Sequence, residues 1–145
     1  MCGIAGIWEL DHESVDDALL KRMTRTLTHR GPDDEGYWAH KGLGFGHRRL
    51  SIIDPTGSPQ PMTIGPLTIC FNGEIFNYQS LREDLQSNGH KFRHAGDTEV
   101  ILAQFLRDGA AAADAVRGSV DLGVRAILRP AGSATQRRPP LSEDH

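Results

Sequence analysis

The chain opens on an apolar run, Cys2 to Leu10, that is short and carries glycines at positions 3 and 6. It predicts a buried strand with close backbone approach rather than a helix. From Ser14 the period changes. Val15, Leu19, Met23 and Leu27 recur every four residues, and Ser14 followed by Asp17 reads as an N-cap with an acid at the capping-box position. An amphipathic helix is therefore predicted over Val15 to Thr28. The run His29 to Gly36 is made of turn formers and charges and is expected as an exposed loop. Tyr37 to Ala39 and Leu43 to Arg48 predict two short strands joined at Lys41-Gly42, with Leu50 to Ile53 continuing the β pattern.

Asp54 to Pro66 is rich in proline and glycine and predicts a loop. Leu67 to Phe71 alternates as a strand and ends at Asn72-Gly73, a strong hairpin signal, after which Ile75 and Phe76 resume the strand. Asn77 can cap a helix from Tyr78 to about Asn88, which Gly89 ends. Lys91 to Arg93 suggests a brief strand. Asp97 or Thr98 then caps a helix over Glu99 to Arg107, closed by Gly109. Past Gly109 the character changes, and Phe105 is the last aromatic residue. Val116, Val120, Val124 and Leu128 still recur every four residues, so a helix is sketched between Ala110 and Leu128, weakened by Gly118 and Gly123. From about Arg129 the chain is rich in Arg, Pro, Ala and Ser and is expected to be disordered.

A length of 145 residues suits one domain with a real core. A net charge of -3 provides no basic field for nucleic acid or an anionic membrane surface. Neither a signal peptide nor a membrane-length apolar segment is visible, and two cysteines make no disulfide framework, so a soluble cytoplasmic protein is expected. Gly42, Gly44 and Gly46 alternate without the spacing or following helix of a dinucleotide site. The seven histidines form no ligand spacing with each other or with the cysteines, so no metal site is expected. Cys70, inside an apolar strand, reads as buried and inert.

Cys2 has two readings. It can be a small buried hydrophobe. If Met1 is removed, it instead carries a thiol nucleophile beside a free α-amino group that titrates near about 7.7 to 8.0 and can serve as its base.

Several stretches together resemble one family, the N-terminal glutaminase domain of glutamine-hydrolysing asparagine synthetases, a class II glutamine amidotransferase with an N-terminal nucleophile. The carriers are Met1-Cys2-Gly3-Ile4-Ala5-Gly6, His29-Arg30-Gly31-Pro32-Asp33, His47-Arg48-Arg49-Leu50-Ser51-Ile52-Ile53-Asp54, Gln60-Pro61, Asn72-Gly73-Glu74-Ile75-Phe76-Asn77 and Gly96-Asp97-Thr98-Glu99-Val100-Ile101-Leu102. The resemblance implies an α+β fold, the αββα sandwich of N-terminal-nucleophile hydrolases, and hydrolysis of the glutamine side-chain amide to glutamate and ammonia. It also implies roles. Cys2 attacks the amide, and Asn72 with Gly73 forms the oxyanion hole. Arg49 grips the substrate carboxylate, Glu74 and Asp97 receive its ammonium, and Leu50 and Ile52 line the pocket, through backbone groups. Each also has a plainer reading: Asn72-Gly73 as a hairpin turn, Arg49 as a solvated cation, Asp97 as a helix cap.

The resemblance gives out after about Gly118, which divides the chain into a partial amidotransferase domain over residues 2–118 and a divergent tail over residues 119–145, native or the product of a shifted reading frame. The sandwich is therefore expected to be incomplete. No cofactor is expected in this chain, since ATP and magnesium belong to the synthetase domain that the family carries and this sequence lacks. The expected partners are L-glutamine and a synthetase domain or chain that takes the ammonia. The alternatives are a catalytically silent fragment or binding module, and a separate glutaminase subunit serving a synthetase partner.

Overall fold

The computed structural model describes residues 2–11, 13–50 and 59–120. Its first layer follows from the opening strand and the glycine-rich stretch. β1 (Gly3–Trp8) and β2 (Asp34–His40) both pair antiparallel with β3 (Leu43–Arg49), which lies between them. Gly3 stands opposite Arg48 and Asp34 opposite Arg49. The β2–β3 connection turns on Lys41 and Gly42, whose φ angles are 44° and 75°. Two consecutive positive φ values match the right-handed twist of the flanking strands, as two-residue hairpins require. The sheet also begins earlier than its sequence suggests: Asp34, Glu35 and Gly36, expected in a loop, are already paired with β3. Local charge does not exclude a strand when a neighbour supplies the ladder and Arg48 neutralises Glu35 at 2.9 Å.

Helix α1 (Asp17–Arg25) lies across β1 and β3. Its N-cap is Asp16, whose carboxylate accepts from the Leu19 N–H at 3.0 Å, rather than Ser14, so the helix is shorter than Val15 to Thr28. The buried face is set by Leu20 and Thr24, with Val15, Leu19, Met23 and Leu27 flanking it half-buried. The stripe is displaced by β3. A side chain at Gly46 would collide with Thr24, and one at Gly44 would crowd Val15 and Leu20, so the alternating glycines let the helix settle onto the strand backbone.

The second layer is smaller. β4 (Met62–Ile64), inside a stretch expected to be loop, forms a hairpin with β5 (Leu67–Ile69) around Gly65-Pro66. Gly65 adopts a φ of 54° there. Asn72-Gly73, by contrast, is not a hairpin. Gly73 starts β6 (Gly73–Ile75), which pairs with β7 (Gly118–Val120) from the far end of the described chain. A local turn preference yields to burial of Ile75 and to the backbone bonds that β7 offers.

Helix α2 (Tyr78–Ser87) follows, and α3 (Asp97–Asp108) packs against it and against β4 and β5. α3 is buried from Thr98 to Gln104, which places it inside the molecule. Its N-cap is Gly96, so Asp97 is the first helical residue and not a cap. Met62, Leu67, Ile69, Phe71, Ile75, Ile101 and Leu102 form the main core, and Leu85, Val100 and Ala103 a second cluster under α2. No strand forms at Lys91 to Arg93. After a short 3-10 turn (Gly109–Ala111), helix α4 (Ala112–Ala115) ends before Val116, and Gly118–Val120 is a strand rather than part of a helix reaching Leu128. Asn77 explains part of this. Its amide leaves the α2 N-terminus uncapped, donates to the Ala115 carbonyl at 2.9 Å and accepts from the Arg117 N–H at 2.9 Å.

The two layers meet through β3, the second being made of the separate β4–β5 and β6–β7 pairs. His47 Nε2–H donates to the Phe71 carbonyl at 3.1 Å, and the Cys70 thiol points at the Gly46 carbonyl at 4.0 Å. The order of layers is α1, the β1–β3–β2 sheet, the β4–β7 strands, then α3 and α2, the expected αββα arrangement. The expectations for Leu128 and for disorder from Arg129 lie outside the described residues, as do Met1, the strand continuation at Ser51 to Ile53, and Ile52 itself.

Candidate active site

Cys2 lies at the head of β1, half-buried. Because a side chain at Gly3 would meet Leu27 of α1, the pleat turns Cys2 to the opposite face, toward the second layer. Its thiol is held by one backbone unit: Sγ accepts from the Leu50 N–H at 3.3 Å and the thiol donates to the Leu50 carbonyl at 3.7 Å. The contribution of Leu50 to the thiol is thus a backbone one. The same alternation puts Phe45, His47 and Arg49 of β3 on the face that Cys2 shares, while Gly44, Gly46 and Arg48 face α1.

Arg48 and Arg49 therefore have different tasks. Arg48 is 9% exposed. Its Nε donates to the Gly31 carbonyl at 2.8 Å, one terminal nitrogen to Glu35 at 2.9 Å and the other to the Pro32 carbonyl at 3.3 Å. With the Asp33 N–H bonded to the Arg49 carbonyl at 3.0 Å, this fastens the Arg30-Gly31-Pro32-Asp33 loop to the end of β3, where Arg49 and then Leu50 emerge. Periodicity does not separate the two arginines, although the resemblance singles out Arg49; the pleat turns them to opposite faces.

Across from this strand end runs the segment from Cys70 to Ile75. His47 fixes Phe71, and burial holds the His47 imidazole neutral, lowering its pKa to about 4, with Arg49 pushing the same way and the Phe71 carbonyl opposing. Burial, reinforced by the nearby Cys2, pushes the Cys70 thiol up to about 12. Cys70 stays a thiol, and the two sulfurs are close enough to feel each other. Asn72 and Gly73 follow Phe71 directly, half-buried and exposed respectively.

Glu74 and Asp97 come together by another route. The Asp97 carboxylate accepts from the Ile75 N–H at 3.0 Å, which ties the α3 N-terminus to β6. Burial raises the Asp97 pKa, Glu74 adds to the rise, and the N–H groups of Ile75, Asp97 and Thr98 offset part of it. Two carboxyl groups thus neighbour each other here, one on an exposed residue and one partly desolvated. Asp97 is not the N-cap, which is Gly96; its carboxylate accepts instead from the Ile75 N–H of β6. The structure thus joins Cys2 with Leu50, Phe71 with the face of His47 and Arg49, and Glu74 with Asp97; Ile52 is outside the described residues.

The sequence pattern assigns Gln60 no role. Its Oε1 accepts from the Phe71 N–H at 2.6 Å and its Nε2 donates to Thr98 Oγ1 at 3.1 Å. The only signal in the sequence is its place among the residues that carry the resemblance. Among the described residues, no cluster of His, Cys, Asp or Glu is placed to hold a metal ion, and no helix is long and apolar enough to cross a membrane. What the arrangement can do is hold a thiol against the Leu50 N–H on the sheet face that carries Arg49, while Glu74 and Asp97 set two carboxyl groups near each other at the start of α3.

A family model described as a glutamine amidotransferase domain matches residues 1–125. The chain is 42% identical over 123 residues to asparagine synthetase (glutamine-hydrolyzing) 1 of Bacillus subtilis, covering 81% of this chain and 20% of that protein. It is 36% identical over 121 residues to asparagine synthetase (glutamine-hydrolyzing) 3 of Arabidopsis thaliana, covering 81% and 21%. It thus spans about a fifth of the length of the curated relatives it matches. Among solved structures, glutamine phosphoribosylpyrophosphate amidotransferase from Bacillus subtilis superposes with a TM-score of 0.62 at 20% identity, covering 79% of this chain and 33% of that one. That likeness is one of fold.

Proposed function

We propose, from the premise that this chain belongs to the glutamine amidotransferase domain family, that it hydrolyses the side-chain amide of glutamine to glutamate and ammonia, as the glutaminase half of an asparagine synthetase. The observation that carries the reading is the Cys2 thiol, half-buried at a strand head and held by Leu50, on the same sheet face as Arg49.

With Met1 removed, the Cys2 α-amino group takes the thiol proton and Sγ attacks the amide carbon. The oxygen of the tetrahedral adduct is stabilised by the Asn72 side-chain amide and the Gly73 N–H. Collapse breaks the C–N bond, the amino group passes its proton to the leaving nitrogen, and ammonia departs from a γ-glutamyl thioester. Water then attacks the thioester, releasing glutamate and the thiol. Free glutamine is selected at its other end: Arg49 pairs with the α-carboxylate, and Glu74 and Asp97 take the α-ammonium. Leu50 and Ile52 border the chain between. The ammonia acceptor would be a synthetase domain or chain, where ATP and magnesium would act, and a reducing cytoplasm would keep the nucleophile as a thiol.

Purified chain, supplied with glutamine and followed by glutamate release, tests this. Intact mass should show the loss of one methionine, and Cys2→Ala should lower turnover by about 1,000-fold or more. Glutamate release unchanged in Cys2→Ala, or none from soluble chain that has lost Met1, would sink the proposal and favour a silent binding module.

A further inference from the structure

We infer that Gln60 is a positioning residue that sets the distance between the amide-cleaving end and the ammonium-binding end of the site, and so the length of the substrate the enzyme accepts. The inference rests on the proposed glutaminase reading and extends it to a residue to which that chemistry assigns no part.

The ammonium-binding end joins two elements, Glu74 of β6 and Asp97 of α3, and only Asp97 lies off the segment that carries the amide-cleaving end. Asn72 and Gly73 precede and open β6, whereas Asp97 opens α3. A substrate spanning them is measured by whatever joins these elements. Two rungs do so. One is the bond from the Ile75 N–H to the Asp97 carboxylate, at 3.0 Å. The other passes through Gln60, whose Oε1 holds the Phe71 N–H at 2.6 Å and whose Nε2 holds Thr98 Oγ1 at 3.1 Å. Phe71 is the residue before Asn72, and Thr98 the residue after Asp97. Asn72, Gly73 and Glu74 are therefore the residues between the rungs. With only the Ile75 rung, His47 and β7 would still hold the segment, but nothing at its Phe71 end would refer it to the start of α3; the second rung makes that link.

The Gln60 side chain suits this task. A primary amide offers an acceptor and donors on opposite sides of one plane, so a single group can satisfy a backbone N–H and a hydroxyl at once. Phe71 and Thr98 are 2% and 3% exposed, so water cannot easily replace either partner. The backbone of Gln60 also lies against β2, so close that a side chain at Gly36 would run into the Gln60 carbonyl. The brace thereby refers both ends to the sheet that carries Cys2.

The readout that isolates this role is a ratio: the kcat/KM of glutamine over that of asparagine, its homologue one methylene shorter. Loss of folded molecules lowers both values and leaves the ratio intact. Full-length chains carrying Gln60→Met, Thr98→Val and Thr98→Ser would be compared with wild type. Wild type should discriminate by at least about 10- to 200-fold, the range one methylene provides. Gln60→Met and Thr98→Val should each narrow the ratio by about tenfold, and Thr98→Ser, which keeps the hydroxyl, should restore it. Should Gln60→Met fail to fold, the Thr98 pair carries the same comparison. A wild-type chain without glutamine hydrolysis overturns the reading on which the brace rests. An active wild type whose ratio is unchanged in Thr98→Val overturns the brace alone.

Discussion

At the scale of single residues, the pair Cys2 and Cys70 shows how environment divides identical side chains. Both are free, but Cys2 is half-buried against a backbone amide, whereas Cys70 is fully enclosed and its thiol is pushed up to about 12 by burial and by Cys2 itself. Only the thiolate alkylates readily. Iodoacetamide applied to the native chain should therefore label Cys2 and leave Cys70 untouched, and labelling in urea should reach both; peptide mass mapping reads the difference. Native labelling of Cys70 at a rate like that of Cys2 would contradict the burial described. Arg48 and Arg49 make the same point. They are adjacent in sequence, yet one is consumed in holding Gly31, Pro32 and Glu35, while the other shares the face of His47.

At the scale of elements, the alternating glycines of β3 have a mechanical purpose. Gly46 lies under Thr24, whose hydroxyl donates to the Leu20 carbonyl at 2.8 Å, so a methyl group at position 46 must displace α1 or twist the strand. Gly46→Ala should destabilise the fold by about 1–3 kcal/mol, the usual cost of overpacking. Gly6→Ala, in the neighbouring strand, meets nothing nearer than 3.7 Å. That change should stay within about 0.5 kcal/mol. Urea midpoints measured side by side would check the contrast, and equal midpoints would refute it. This scale is also where sequence reading was least secure. Local signals placed β1, α1, the Lys41-Gly42 turn, α2 and α3 within a few residues, because short-range periodicity and turn chemistry govern them. They failed at Asn72-Gly73 and after Ala110, where β6 and β7 find each other across more than forty residues of chain. No local pattern encodes a partner that distant.

At the scale of the whole molecule, one imidazole spans the two layers. His47 of β3 donates to the Phe71 carbonyl of the second layer, is 1% exposed, and has its pKa lowered to about 4 by burial. In the unfolded chain it would titrate near about 6.5, so the unfolded state binds the extra proton first. The stability that a neutral His47 allows is complete above about 6.5 and is lost as pH falls from there toward about 4, a loss on the order of 3 kcal/mol. Below about 4 both states are protonated and the loss stops. Urea midpoints across that window should fall in wild type and fall less in His47→Gln; parallel slopes would dismiss the assignment. By itself the sequence determined the family and the order of most elements, and it supplied the residues proposed for the site, because motifs and short-range periodicity are written along the chain. Only the tertiary structure decided that Asp97 faces a strand beside Glu74, that Arg48 is structural while Arg49 shares the sheet face of Cys2, and that Gln60 joins the two ends. Those are facts about which faces and distant segments meet, and burial together with hydrogen-bond pairing chooses them after the local elements have formed.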